Sequence, residues 1–217
     1  MKQSEIFLQS EGDAWFTRNQ QRVATRKLPD EDPLLCEILD IHNSASGRLK
    51  ILEVGCGDGT RLAWLKDNLN ADCYGIEPSA QAVAVACAKG INVQQGTADV
   101  LPFGDQSFDI VIFGFCLYLC DREDLFRIAS AADRVLRAPG WLMILDFFSP
   151  VPRAKIYHHR PGVLSYKMDY RTLFNWHPDY ACMTHKLRHH SEGGYTDEQD
   201  EWVAVSVLRK HIRKFDQ

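Results

Sequence analysis

Residues 51–62 read ILEVGCGDGTRL, an apolar run that ends in three glycines, Gly55, Gly57 and Gly59, at every second position. Glycine turns sharply and carries no Cβ, so a ligand can lie directly against such a backbone. Loops that cradle a dinucleotide pyrophosphate carry G-x-G-x-x-G. Here the spacing is G-x-G-x-G and Thr60 stands where that third glycine would be, which suits a ligand without a pyrophosphate. Three acids bear on the same chemistry. Glu77 ends the apolar run CYGIE, where an acid accepts from ribose hydroxyls. Asp99, in GTADVLPF, is spaced to accept from the exocyclic amine of a purine. Glu53 lies inside the first apolar run, where a charge is costly unless paired or hydrogen-bonded. Each acid has a plain structural alternative: a helix cap for Glu77, a solvated loop for Asp99, a core ion pair for Glu53.

These residues need elements to position them. KILEVG reads as a buried strand, TRLAWLKDNL as a helix, DCYGIE as a second strand ending at Glu77, and INVQQG as a third. Ser79 is a helix cap for AQAVAVACAK, and Gly90 stands at its carboxyl end. SFDIVIFGFCLYL gives a fourth strand and WLMILDFF a fifth. Between them a helix starts at Asp121 with Leu125, Ile128, Ala129, Ala132, Val135 and Leu136 at 3.6-residue spacing, ended by APG. Asp32 before Pro33 starts an earlier helix that stops near NSASG. Alternating strands and helices imply a parallel sheet covered on both faces, which binds ligands at the carboxyl ends of its strands. Residues 149–178 resist assignment. YACMTHKLRHH and EWVAVSVLRKH read as two late strands with no helix between them, so they pair antiparallel at the end of the sheet.

With 217 residues, 45% of them hydrophobic, the chain forms one domain with a sizeable core. A net charge of −4 offers no basic field for nucleic acid or an anionic membrane. No 18-residue apolar run suggests a membrane span, and the first residues lack the pattern of a signal peptide. Seven cysteines without a CxxC pair fit a reducing cytoplasm. The histidine pairs lack metal-ligand spacing, so no metal is expected.

Together, LEVGCGDGTRL, YGIEPS, GTADVLPFGDQSFDIVIFGF and LRAPGWLMI resemble class I S-adenosylmethionine-dependent methyltransferases over residues 48–150. The resemblance implies a Rossmann-like α/β fold: a seven-stranded, mostly parallel sheet of order 3-2-1-4-5-7-6, its seventh strand antiparallel, with helices on both faces. It implies a single domain over 1–217, divided into an N-terminal lid (1–30), the cofactor-binding core (48–150), a substrate-side insert (151–178) and a terminal β-hairpin (179–217). Carried over by position, Glu53, Gly55, Cys56 and Gly57 would line the methionine part of S-adenosylmethionine. Glu77 would bind the ribose diol with Pro78 beside the adenine, Asp99 the adenine amine, Val100 the ring edge, and Phe115 would lie near the sulfonium. EGDAWFTRN and YHHRPGVLSYKMDYRTLFNWHPDY are similar to a bacterial subgroup associated with cell-surface carbohydrate biosynthesis.

Methyl transfer from a sulfonium is an in-line displacement, and a base is needed only where the nucleophile must lose a proton. Tyr118, His158 and His159 are the candidates, each with the alternative of a core or solvated residue. Trp15 belongs to a polar segment expected either to cover the site or to rest on the domain surface; as a lid it would let Arg18 pair with the cofactor's carboxylate. Residues 153–190 hold seven Lys or Arg, at 153, 155, 160, 167, 171, 186 and 188, against two acids, 169 and 179. This stretch suggests a small anionic acceptor such as a carboxylate or nucleotide-linked sugar. The chain is expected as a monomer or homodimer, without nucleic acid or membrane as partner. An RNA or protein methyltransferase, a non-catalytic cofactor-binding protein and a nicotinamide-dependent oxidoreductase are the alternatives.

Overall fold

The computed structural model describes residues 1–24, 27–44 and 47–211. Gln3–Ile6 (α1) runs through a π-helical turn, Phe7–Glu11, into Gly12–Ala24 (α2), and Pro33–Ser44 forms α3. The core then alternates: Lys50–Val54 (β1), Thr60–Leu69 (α4), Asp72–Glu77 (β2), Ala80–Ala88 (α5), Asn92–Gln95 (β3) and Phe108–Gly114 (β4). Leu125–Val135 (α6) leads into Leu136–Phe147 (β5). Arg153–Ile156 (β6) and Leu164–Lys167 (β7) precede Thr172–Asn175 (α7), and Tyr180–His189 (β8) and Trp202–Lys210 (β9) follow.

The main sheet has the order β3-β2-β1-β4-β5-β9-β8. Its first five strands are parallel, whereas β9 is antiparallel to both β5 and β8. The arrangement is the expected seven-stranded Rossmann-like sheet. Strands β1 and β4 are buried almost throughout, as parallel strands covered on both faces must be. One face packs on Leu34, Leu35 and Ile38 of α3, Leu62 and Leu65 of α4, and Ala86 of α5. The other packs on Ile128, Ala132 and Val135 of α6 and Leu173 and Phe174 of α7. Strand order reverses between β1 and β4, so a crevice opens beyond their carboxyl ends.

Three expectations are corrected, and the unassigned stretch gains its elements. The fourth strand stops at Gly114, and Leu117–Leu119 is a 3₁₀ turn held by the Asp146 carboxylate. Asp121 precedes a second 3₁₀ turn, Arg122–Asp124, and α6 proper begins at Leu125. Leu136 keeps the helical spacing but is the first residue of β5, which runs through APG beside Phe108. The unassigned insert holds the β6–β7 antiparallel hairpin and α7. Helix α3 ends at Ser44; residues 45–46, part of the expected stop, lie outside the described residues, as do 25–26 of the N-terminal segment and 212–217 of the terminal hairpin.

Candidate functional site

The three glycines divide the work of the loop after β1. Gly55 has φ +76°, and a Cβ there would stand 2.6 Å from that of Cys116, so its absence lets the loop pack beside the end of β4. Gly59, φ +69°, brings the start of α4 against Ala86, whose Cβ lies 3.0 Å from the position a Cβ would take. Gly57, φ +55°, has open space on its Cβ side. That side is the cradle.

Glu77 ends β2 with both oxygens engaged: Gly57 N donates to Oε2 at 2.9 Å and Ser79 N to Oε1 at 2.9 Å. Burial pushes its carboxyl up to about 7 although both backbone donors favour the charged form. Asp99 accepts from the Thr97 hydroxyl at 2.7 Å and lies 3.4 Å from Arg127. Glu53 is ion-paired with Arg61, whose Nε donates to Asp32 at 2.8 Å. Asp32 also accepts from Leu34 N at 3.0 Å, so one carboxylate caps α3 and anchors α4. Burial works against the Arg61 charge, but Asp32 and Glu53 more than reverse it and hold the guanidinium above its ordinary range. Burial pushes the Cys56 thiol well up, leaving it an uncharged packing group.

A ring cluster forms beyond β4 and β5. Phe115 adopts φ +53°, rare for a bulky residue, and donates its N–H to Leu145 O at 2.8 Å. Its ring lies 5.4 Å from that of Phe147, which also meets Tyr118 at 4.9 Å and His190 at 4.8 Å. The buried Asp146 carboxylate accepts from Leu117 N at 2.8 Å, Tyr118 N at 3.3 Å and Phe147 N at 2.8 Å, tying the turn to the strand. Burial pushes this carboxyl up to about 7 as well, against those three donors.

The N-terminal helices roof the crevice. Gly12 allows α2 to press on Pro78 and Ser79, where a Cβ would meet Ser79 N at 3.0 Å. Asp13 accepts from the Ser79 hydroxyl at 2.6 Å and Gln81 N at 3.1 Å. Gln3 N and Ser4 N donate to Asp121 at 2.9 and 3.0 Å, while Lys2 pairs with Asp124 at 2.8 Å. The Gln3 side chain reaches Leu119 and both backbone groups of Leu164.

The cavity measures about 570 Å³. It is lined by Glu53, Gly55, Cys56, Gly57, Glu77 and Pro78 on the loop side. Asp99, Phe115, Tyr118, Trp15, His158 and His159 complete the predicted residues that it brings together. Two predicted residues stand apart. Arg18, itself outside the lining, is turned to Glu11 at 2.5 Å, which matches its charge, and to the hydroxyl of Tyr157, a lining residue, at 3.1 Å. Val100 is 60% exposed beyond the rim, and Ala98 lines the wall instead. Sequence reasoning passed over Arg61, Phe147 and His190: Phe147 reads as one more residue of an apolar strand, and His190 reaches the cavity only because β8 folds back along β9.

Residues 52–144 match a family model described as a methyltransferase domain. An uncharacterized methyltransferase, YcgJ, of Bacillus subtilis is 31% identical over 110 residues, 46% of this chain and 42% of that protein. The demethylmenaquinone methyltransferase of Chlorobaculum parvum is 33% identical over 103 residues, again 46% and 42%. The chain therefore spans less than half the length of either relative. The structure of the Burkholderia thailandensis 1,6-didemethyltoxoflavin-N1-methyltransferase, with its substrate and S-adenosylhomocysteine bound, shares the fold at a TM-score of 0.71. That likeness covers 96% of this chain and 89% of the other, at 16% identity. By its glycine loop, its sheet order and this match over residues 52–144, the chain is similar to the class I S-adenosylmethionine-dependent methyltransferases.

Proposed function

We propose that this chain transfers the methyl group of S-adenosylmethionine to a small-molecule acceptor within the cavity under the N-terminal helices. The observation that carries the reading is that the open side of Gly57, the buried Glu77 carboxylate and Asp99 line one cavity with Tyr118 and the histidines. Glu77 would accept from the ribose diol, and Asp99 from the adenine amine beside Pro78 and Ala98. Glu53, Gly55, Cys56 and Gly57 would hold the methionine part. When bound, the cofactor would supply a methyl on a sulfonium for in-line displacement by an acceptor lone pair, the carbon–sulfur electrons leaving with sulfur.

The protein's contribution is alignment and exclusion of water. Trp15 and Phe16 cover the crevice, and Asp146 holds Tyr118 against Phe147. Tyr118, His158 and His159, which line the cavity, would be the candidates to take an acceptor's proton. A surface-carbohydrate setting draws no support from the relatives, among which are a quinone-precursor and a fatty-acid methyltransferase. No helix of the described residues is long and apolar enough to cross a membrane; a cytoplasmic site of action belongs to the proposal.

Calorimetric titration with S-adenosylmethionine, S-adenosylhomocysteine and NAD, with Glu77→Ala alongside, tests the reading. Micromolar binding of the first two, lost in the variant, is expected. Binding of NAD alone, or of none of the three, would overturn it.

A further inference from the structure

We infer that the acceptor is a planar, uncharged aromatic molecule seated on the rings of Tyr118, Phe147 and His190, with His190 taking the proton that the acceptor loses. The inference rests on the methyl-transfer reading and adds the acceptor's chemical class and a residue in contact with it.

The charge on the walls decides against an anion. Six acids line the cavity, at 53, 58, 77, 99, 121 and 124; four are ion-paired, Glu53 with Arg61, Asp58 with Lys89, Asp99 with Arg127 and Asp124 with Lys2 and Arg127, and among the described residues Arg61 is the one Lys or Arg of the lining, already held between Asp32 and Glu53. The basic residues of the insert are engaged elsewhere. Arg153 and Lys155 lie 3.5 and 3.1 Å from Asp200, Arg171 2.6 Å from Asp169, and Lys186 2.6 Å from Glu37. Neither Arg160 nor Lys167 reaches the lining. A carboxylate or diphosphate would find no uncommitted guanidinium or ammonium on the described lining to receive it.

The rings decide for an aromatic. Phe147 is the hub, with Tyr118 at 4.9 Å in an edge-on arrangement, His190 at 4.8 Å and Phe115 at 5.4 Å. Lys167, outside the lining, stands 5.0 Å over the Phe147 ring and fixes it further. The backbone under each ring is held: Phe147 N by Asp146, Tyr118 N by the same carboxylate, His190 N by Glu201 O at 2.8 Å. Tyr157, His158 and His159 add three more rings on the insert side, the two imidazoles 3.8 Å apart. Rigid rings at such separations take a further flat ring by offset or edge-on stacking, and lose little freedom in doing so. His190, half-buried at this wall, brings a ring nitrogen to the cluster. As an acceptor hydroxyl or ring N–H gains the methyl carbon, its proton passes to the His190 imidazole and from there to water.

Calorimetry on the full chain saturated with S-adenosylhomocysteine tests this, using 2-naphthol and 4-hydroxyquinoline as aromatic probes and UDP-glucose and octanoate as anionic ones. The aromatic probes are expected to bind at least tenfold more tightly than the anionic pair. Phe147→Leu should weaken them at least tenfold while S-adenosylhomocysteine binds within twofold of wild type, which also reports that the variant is folded. With a probe that is turned over, His190→Gln should lower kcat at least tenfold with a smaller change in KM. Tight cofactor-product binding together with stronger binding of an anionic probe, or aromatic affinity indifferent to Phe147→Leu, would overturn the inference and leave methyl transfer standing. Failure of S-adenosylhomocysteine itself to bind would remove both.

Discussion

The Glu77 carboxylate accepts the Gly57 amide at 2.9 Å, so the acid at the end of β2 and the glycine with an open Cβ side form one unit. Burial raises this carboxyl to about 7, from an ordinary 4.5. The folded state thus holds a proton that the unfolded chain releases between those values. Its contribution to stability is fully present below pH 4.5 and lost as pH rises through 7, a difference of roughly 3 kcal/mol for the ligand-free protein. The cofactor's diol favours the opposite form, because a hydroxyl donates more strongly to a carboxylate than to a neutral acid. S-adenosylmethionine affinity should therefore rise between pH 6 and 8 in wild type. In Glu77→Gln it should be at least tenfold weaker and flat over that range, as read by calorimetry at each pH.

The glycines should separate by what each substitution damages. Gly57→Ala meets open space and costs on the order of 1 kcal/mol for the left-handed backbone, yet it puts a methyl where the cofactor would lie. Gly55→Ala drives a Cβ to 2.6 Å from Cys116 and should cost about 2 kcal/mol or more. Urea unfolding paired with cofactor titration distinguishes them. The first variant should be nearly as stable as wild type and blind to the cofactor, and the second broadly destabilised.

Removing Arg61 would strand two buried carboxylates. Arg61→Met should cost about 3–5 kcal/mol. Adding Asp32→Asn and Glu53→Gln to it should restore part of that loss, since no buried charge then lacks a partner. Equal stability of the single and triple variants in urea would show that the cluster does not act as one unit.

Much of this was legible in the residue order. FDIVIFG is apolar along its whole length because β4 is covered on both faces, and Glu77 stands where β2 ends. Local patterns misled where a neighbour overrode them. Leu136 continues the stripe of α6, yet pairing with Phe108 draws it into β5. The four-residue strand β6 is exposed throughout and β7 mostly half-buried, so neither shows an alternation to read. Arg61 looks like the surface residue of a helix, and its partner Asp32 lies 29 residues earlier. Arg18 follows from reading the N-terminal segment as a lid and Val100 from position alone; side-chain surroundings, invisible in the sequence, turn one to Glu11 and leave the other exposed.

The clasp at Gln3 has a kinetic consequence. Its side chain bonds Leu164, 161 residues further along, whereas the pairings of the five parallel strands with one another lie within residues 50–147. During synthesis the parallel strands, with Ser79, Asp121 and Asp124, can be in place before Leu164 arrives to receive Gln3. The cavity is completed by a late, long-range loop closure, which is entropically expensive and offers little local reward on the way. For the same reason it should be the first part to open. Amides of residues 3–24 are then the place where exchange with solvent would register the loss of the site while the sheet beneath stays intact.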